Sequence, residues 1–253
     1  QTKVDAHFIF PSLQDVFKLT PDVLWFQDEP YQSQSAFLAF NVFRLASDNG
    51  IKVLLNGQGA DEYLGGYGQF TSARYADLIK SLKFKSLLKD IAHLHELGQV
   101  PIYLPLRGSI YKLLPSFIHE KISKYSMKLN RVMKLLDTNK IGVEPIHPFD
   151  NIPVKAGNVR ELSEHYTFYS TLPKYLRWED RNSMAHSVEA RVPFLDHRLV
   201  EFSYNLPDNY LENNGITKRI LREALGPLLP EQIKNRKDKM GFTTPEEYWV
   251  KIV

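Results

Sequence analysis

Between residues 35 and 49, apolar side chains recur at helical spacing: Phe37, Phe40, Phe43 and Leu45 lie on one side of a predicted helix. Gly50 follows and marks its stop, because glycine accepts the left-handed conformation that ends helices. The next run, Ile51-Lys52-Val53-Leu54-Leu55, is short, nearly all apolar and bounded by glycine. That pattern predicts a strand buried on both faces of a parallel sheet. Upstream, His7-Phe8-Ile9-Phe10 and Val23-Leu24-Trp25-Phe26 fit a strand or a helix edge equally, and Asp28-Glu29-Pro30 marks a loop. Residues 71–143 read as helical with no further strand, and residues 141–159, with Pro145, Pro148 and Pro153, read as a long loop. Asn158 with Glu161 matches a capping box, so a helix is expected to begin there. Further helices are expected over 175–187, over 197–204 and over 217–225, the last capped by Thr217 and stopped by Gly226-Pro227. The whole is an α/β pattern with a large helical portion.

The predicted strand runs into Asn56-Gly57-Gln58-Gly59-Ala60-Asp61-Glu62. Ligands of open α/β sheets bind beyond the carboxyl ends of strands, so this loop is a site candidate by position. Gly57 and Gly59 let the backbone approach a ligand and adopt positive φ. A plain phosphate cradle would add a lysine, whereas this loop adds two carboxylates. Carboxylates beside phosphate make sense with a divalent cation between them, as magnesium binds one or two carboxylates plus phosphate oxygens. The bland alternative is a tight turn whose acids favour the first turn of the next helix.

Lys218 and Arg219 fall in the first turn of the helix expected over 217–225, where the helix dipole disfavours cations. An anion bound there would resolve the conflict; pairing with Glu223 or plain solvation is the alternative. A third cluster, Glu179-Asp180-Arg181 leading to Glu189 and Arg191, suggests partly buried ion pairs of structural type. The eight histidines show no metal-ligand spacing, and cysteine is absent, which excludes disulfides and thiolate metal sites. A net charge of +3 is too balanced to argue for nucleic acid, and the local basic runs over 80–89, 121–140 and 236–239 read as solvated helix faces. No apolar run approaches the roughly 20 residues of a membrane helix. With a 43% hydrophobic fraction, the 253 residues are enough to bury a sizeable core.

Together, V-L-L-N-G-Q-G-A-D-E-Y-L-G-G-Y (53–67), D-R-N-S-M-A-H-S-V-E-A-R-V-P-F-L-D-H-R (180–198), T-K-R-I-L-R-E-A-L (217–225) and R-K-D-K-M-G-F-T-T-P (236–245) resemble, in order, the synthetase domain of glutamine-hydrolysing asparagine synthetases. The resemblance is strong at both ends of the chain and weak over residues 71–160. It implies a domain of the ATP-pyrophosphatase (adenine nucleotide α-hydrolase-like) type: an α/β nucleotide-site portion over 1–70, a helical middle over 71–160, and a helical motif-bearing part over 161–253. The implied reaction activates a side-chain carboxylate as an acyl-adenylate with ATP and magnesium, after which ammonia from glutamine attacks the acyl carbon. Asn56, Gly57 and Gly59 would then contact the nucleotide, Asp61 with help from Glu62 would hold magnesium and pyrophosphate, and Lys218 would offset charge on the α-phosphate. Gln58 sits where some asparagine-forming members carry glutamate, which leaves the acceptor open between aspartate and another carboxylate, such as a uronic acid or a β-lactam precursor. The family's S-G-G-x-D-S loop and the cysteine nucleophile of its glutaminase domain do not occur in the chain. The expectation is therefore a carboxy-terminal part of a cytoplasmic ligase, inactive alone, with its glutaminase domain supplied in cis and a homodimer left open. A helical interaction module without catalysis is the alternative from another class.

Overall fold

In the computed structural model the described residues are 4–98, 101–115, 117–119, 121–122, 125, 140, 142, 157–236 and 244. The basic run 121–140, the loop 141–159 and the closing motif 236–245 therefore lie mostly outside them. The elements in chain order are α1 (Leu13–Gln27), α2 (Ser35–Asp48), β1 (Val53–Leu55), α3 (Ala60–Tyr63), α4 (Gln69–Lys80), α5 (Phe84–Leu97), α6 (Tyr103–Leu113), α7 (Val159–Glu164), α8 (Thr171–Ala185), β2 (Glu189–Arg191), α9 (His197–Tyr204), β3 (Glu212–Asn213), β4 (Ile216–Thr217), α10 (Arg219–Leu225) and α11 (Glu231–Lys234). Among the described residues helix dominates, with one parallel strand pair giving the α/β character. No described helix is long and apolar enough to cross a membrane.

The chain divides into two compact units. The first takes residues 1–60, 170–202 and 237–253, and the second takes 61–169 and 203–236. In the first unit, Val16 and Val23 of α1 pack with Phe37 and Phe40 of α2. Three buried amide contacts join α1, α2 and α8: Gln27 donates to the Asn182 side chain at 2.9 Å and to the Trp178 carbonyl at 3.3 Å, and Asn182 donates to the Ala36 carbonyl at 3.0 Å. The expected helix over 35–49 is present as α2. Its end is a Schellman arrangement, with Gly50 at φ +73°, Gly50 N–H on the Ser47 carbonyl and Ile51 N–H on the Ala46 carbonyl. His7-Phe8-Ile9-Phe10 has no regular structure, and Val23 to Phe26 lies in α1.

β1 pairs in parallel with β2, Leu54 facing Ala190 in register. Parallel pairing matches the expectation, but burial on both faces does not. Leu54 packs with Phe43, Ala46, Val188 and Ala190. Strand alternation sends Val53 and Leu55 to the other face, where they are 40% and 67% exposed. Among the described residues β2 is the only strand beside β1.

In the second unit, α4 buries Phe70, Ala73, Tyr75, Ala76 and Leu78. α6 approaches it closely at Gly108, where an added Cβ would stand 2.4 Å from Ser72 Oγ. Helix α7 starts where Asn158 predicts it, the Asn158 side chain accepting from Glu161 N–H at 2.8 Å. The return contact differs from a standard capping box: the Glu161 carboxylate accepts from Gly157 N–H at 2.7 Å, one residue before the cap. The expected helices over 175–187 and 197–204 are present as α8 and α9. The helix expected over 217–225 is shorter, because β3 and β4 form a hairpin that takes Thr217. Asn214 and Gly215 turn that hairpin with φ of +55° and +73°, as a two-residue primed turn requires.

Candidate functional site

The motif residues fall into two groups, one in each unit. In the first, the Asn56 N–H donates to the Arg191 carbonyl at 3.0 Å and carries the β1 ladder one residue past the strand. The Asn56 side-chain oxygen accepts the Gln58 N–H at 3.0 Å, which shapes the loop as an Asx turn. The Asn56 amide nitrogen donates to the carboxylate of Glu179 on α8. Gly59 has φ +97°, and an added Cβ would lie 2.3 Å from Leu195 Cδ2, so the backbone and its neighbour both demand glycine. Gly57 differs from expectation in lacking positive φ. A Cβ there would meet only Phe194, at 4.0 Å, which leaves that stretch of backbone open to approach.

Sequence reasoning missed Glu179. It read the acids and arginines of this stretch as partly buried ion pairs. Ion pairs are present: Arg191 pairs with Glu189 inside the cluster at 2.8 Å, while Arg181 reaches out to Asp28 at 2.7 Å and the neighbouring Arg177 to Glu29. All three pairs are largely exposed. Burial pushes the Glu179 carboxyl up to about 7, against a lowering by the Asn56 hydrogen bond. The available signal was helical spacing: Glu179 lies next to Trp178 and three and four residues before Asn182 and Ser183, all of which are buried.

In the second group, Lys218 Nζ stands 2.9 Å from Asp61 Oδ1, each side chain about a quarter exposed. Gly66 backs the pair: a Cβ there would fall 1.8 Å from Asp61 Oδ1 and 2.6 Å from Lys218 Cε. Asp61 and Glu62 do occupy the first turn of α3. They diverge from there, because Glu62 is buried and accepts the Tyr67 hydroxyl at 2.6 Å. Lys218 is not in the first turn of a helix, as its sequence position suggested, but at the N-cap of α10 in the left-handed conformation, φ +51°. The hairpin claims Thr217, and Lys218 makes the turn from strand to helix. Arg219 pairs with Glu223 at 2.6 Å, the bland alternative weighed for it.

No cluster of three or more carboxylates or histidines is arranged for a metal among the described residues. Asp61, partly open beside a committed Glu62, suits a magnesium ion that arrives on phosphate oxygens and takes one protein carboxylate. It does not suit a metal caged by protein alone.

Residues 1–252 match the family model described as asparagine synthase, so the chain belongs to the asparagine synthase family. It is 29% identical over 240 residues to the glutamine-hydrolysing asparagine synthetase 1 of Bacillus subtilis (strain 168), covering 91% of this chain and 36% of that protein. A putative glutamine-hydrolysing asparagine synthetase of Mycobacterium tuberculosis (strain ATCC 25618 / H37Rv) is 30% identical over 241 residues, covering 91% of this chain and 35% of that protein. The amidase chry2 of Gibberella zeae is 26% identical over 270 residues, covering 97% of this chain and 40% of that protein. The chain thus spans a little over a third of the length of these relatives. No solved structure matches it.

Proposed function

We propose that the chain is the carboxy-terminal part of a synthetase domain, of the ATP-pyrophosphatase type of fold, in a cytoplasmic ligase that amidates a carboxylate. The observation that carries this reading is the Asp61/Lys218 pair, which unites two motif stretches far apart in sequence at 2.9 Å. A solvated helix face would not need that pairing, nor a Gly66 that only a missing Cβ permits.

In this reading an oxygen of the acceptor carboxylate attacks the α-phosphorus of ATP and pyrophosphate leaves. Ammonia derived from glutamine then attacks the acyl carbon, loses a proton and expels AMP. Asn56 and Gly57 contact the nucleotide, and Gly59 keeps the loop close. Asp61 would hold magnesium, which would supply positive charge to the phosphate groups; Glu62, held by Tyr67, supports the first turn of α3 rather than offering a metal ligand. Lys218 offsets charge that grows on the α-phosphate, for which it must exchange the Asp61 carboxylate for phosphate oxygens. Lys237 and Lys239 of the closing motif are competing cations for that role. Aspartate is the acceptor favoured by the synthetase relatives. The amidase relative, together with Gln58 in place of a glutamate, supports a second reading with another carboxylate.

ATP–pyrophosphate exchange tests the proposal. The full-length protein should exchange only with its acceptor present, so aspartate and other carboxylates are compared directly. The chain alone, without the S-G-G-x-D-S loop, should not exchange, because positioning dominates such chemistry. Exchange by the chain alone, or none by the full-length protein with any carboxylate tried, would overturn the assignment.

A further inference from the structure

Both ends of the Asn56 side-chain amide are engaged. Its oxygen accepts the Gln58 N–H, and its amide nitrogen donates to Glu179, 123 residues further along the chain. Its backbone N–H is fixed on β2 through the Arg191 carbonyl. Turning the amide over would set its NH2 against the Gln58 N–H and its oxygen against a carboxylate, two repulsive contacts in place of two hydrogen bonds. The acceptor on α8 therefore decides which way the Asn56 amide points, and the amide in turn decides the loop that follows. We propose that Glu179 is a positioning residue that clasps the Asn56 amide and thereby holds the loop over residues 57–59 in its ligand-ready shape.

No cation offsets the partly buried Glu179 carboxylate among the described residues. On its own helix, Arg177 and Arg181 are turned to Glu29 and Asp28. On the neighbouring strand, Glu189 and Arg191 satisfy each other. On α2, Arg44 and Asp48 act on His186. Burial is the larger influence and the Asn56 hydrogen bond the smaller, which leaves Glu179 titrating near 7. An ionised carboxylate is the stronger acceptor for an amide N–H. The clasp thus tightens as pH rises through the neutral range, a property that a structural hydrogen bond between neutral groups would lack.

The nucleotide arm of the test rests on the function proposed above; the first arm does not. In the full-length protein with 15N-labelled asparagine, the Asn56 side-chain amide, identified by its loss in Asn56→Ala, is followed from about pH 5.5 to about 8.5. It should shift with a midpoint near 7 in the native protein and stay flat in Glu179→Gln. ATP affinity should be about tenfold weaker in Glu179→Gln, the scale of a hydrogen bond to a charged group, and should no longer improve with pH. Glu179→Asp should restore part of both. An Asn56 resonance that does not titrate overturns the proposal, as does a Glu179→Gln protein that binds ATP with native affinity and native pH dependence. If the glutamine variant does not fold, the titration in the native protein decides alone. A native protein that titrates at Asn56 but binds no ATP would sink the proposed function and leave the clasp standing.

Discussion

Glu179 in the first unit is a partly buried carboxylate and Glu212 in the second a fully buried one, and they are partnered in different ways. Glu179 has an amide and, among the described residues, no cation. Glu212 is fully buried and lies 3.4 Å from Arg74 Nε, with a further hydrogen bond at 3.0 Å from Gly215 N–H. A guanidinium beside a carboxylate normally holds it well below the ordinary range. Yet burial pushes Glu212 up to about 8, while Arg74 lowers it and Asp90 raises it. Arg74 is shared: its Nε lies 2.5 Å from Asp90 and its second nitrogen donates to the Asn213 side chain at 2.8 Å. One positive charge cannot offset two buried negative ones, so desolvation wins at Glu212 even with its partner present. The first unit uses a partly buried acid to orient a loop, whereas the second uses a fully buried one to join α4, α5 and the hairpin.

The sharpest test of that difference is Arg74→Met. Removing the shared cation takes the ion-pair partner from the buried Asp90 carboxylate and a close charged neighbour from Glu212, and about 3–5 kcal/mol of stability should be lost. Denaturant unfolding would read it, and a loss near zero would show that the shared guanidinium contributes no net stability. The Asp61/Lys218 pair, being partly exposed and at the candidate site, should behave oppositely. In the full-length protein Asp61→Asn and Lys218→Met should each lower kcat by ~10²–10³-fold while leaving unfolding nearly unchanged. A Lys218→Met protein of normal kcat beside an inactive Lys237→Met protein would transfer the phosphate role to the closing motif.

The pH dependence of stability separates the two acids further. Both folded-state values are raised above the usual glutamate value of 4.5, so the folded protein binds more protons than the unfolded chain. Stability should therefore fall with rising pH above about 4.5, until about 7 for Glu179 and about 8 for Glu212, at a slope of order 1 kcal/mol per pH unit per group. Glu212→Gln should abolish the decline above about pH 7 and roughly halve it below, whereas Glu179→Gln should halve it below about pH 7 only. A stability curve in Glu212→Gln that still falls between about pH 7 and 8 would break the assignment. The smallest effect belongs to the exposed pairs. Arg181→Ala, which frees Asp28, should cost under about 0.5 kcal/mol, and a loss above about 1 kcal/mol would mean that the pair helps hold α1 to α8.

The helices α2 and α9, the left-handed stop at Gly50, the Asn158 cap and the Gly-rich loop after a parallel strand were legible in the residues themselves. Each depends on side-chain periodicity or a φ preference that acts over a few neighbouring positions. The same local logic placed Asp61 and Glu62 together in one turn. Only the fold separated their fates, sending Glu62 into the core against Tyr67 and turning Asp61 to Lys218. Thr217 was a sound cap by local chemistry, but the Asn214-Gly215 turn folded it into a hairpin and passed the cap position to Lys218. The exposed side of β1 and the Asn56 contact of Glu179 were hidden for the same reason. Which face is covered, and which acid loses its water, is set by elements more than a hundred residues away in sequence, and desolvation is a property of that assembled surrounding rather than of any local pattern.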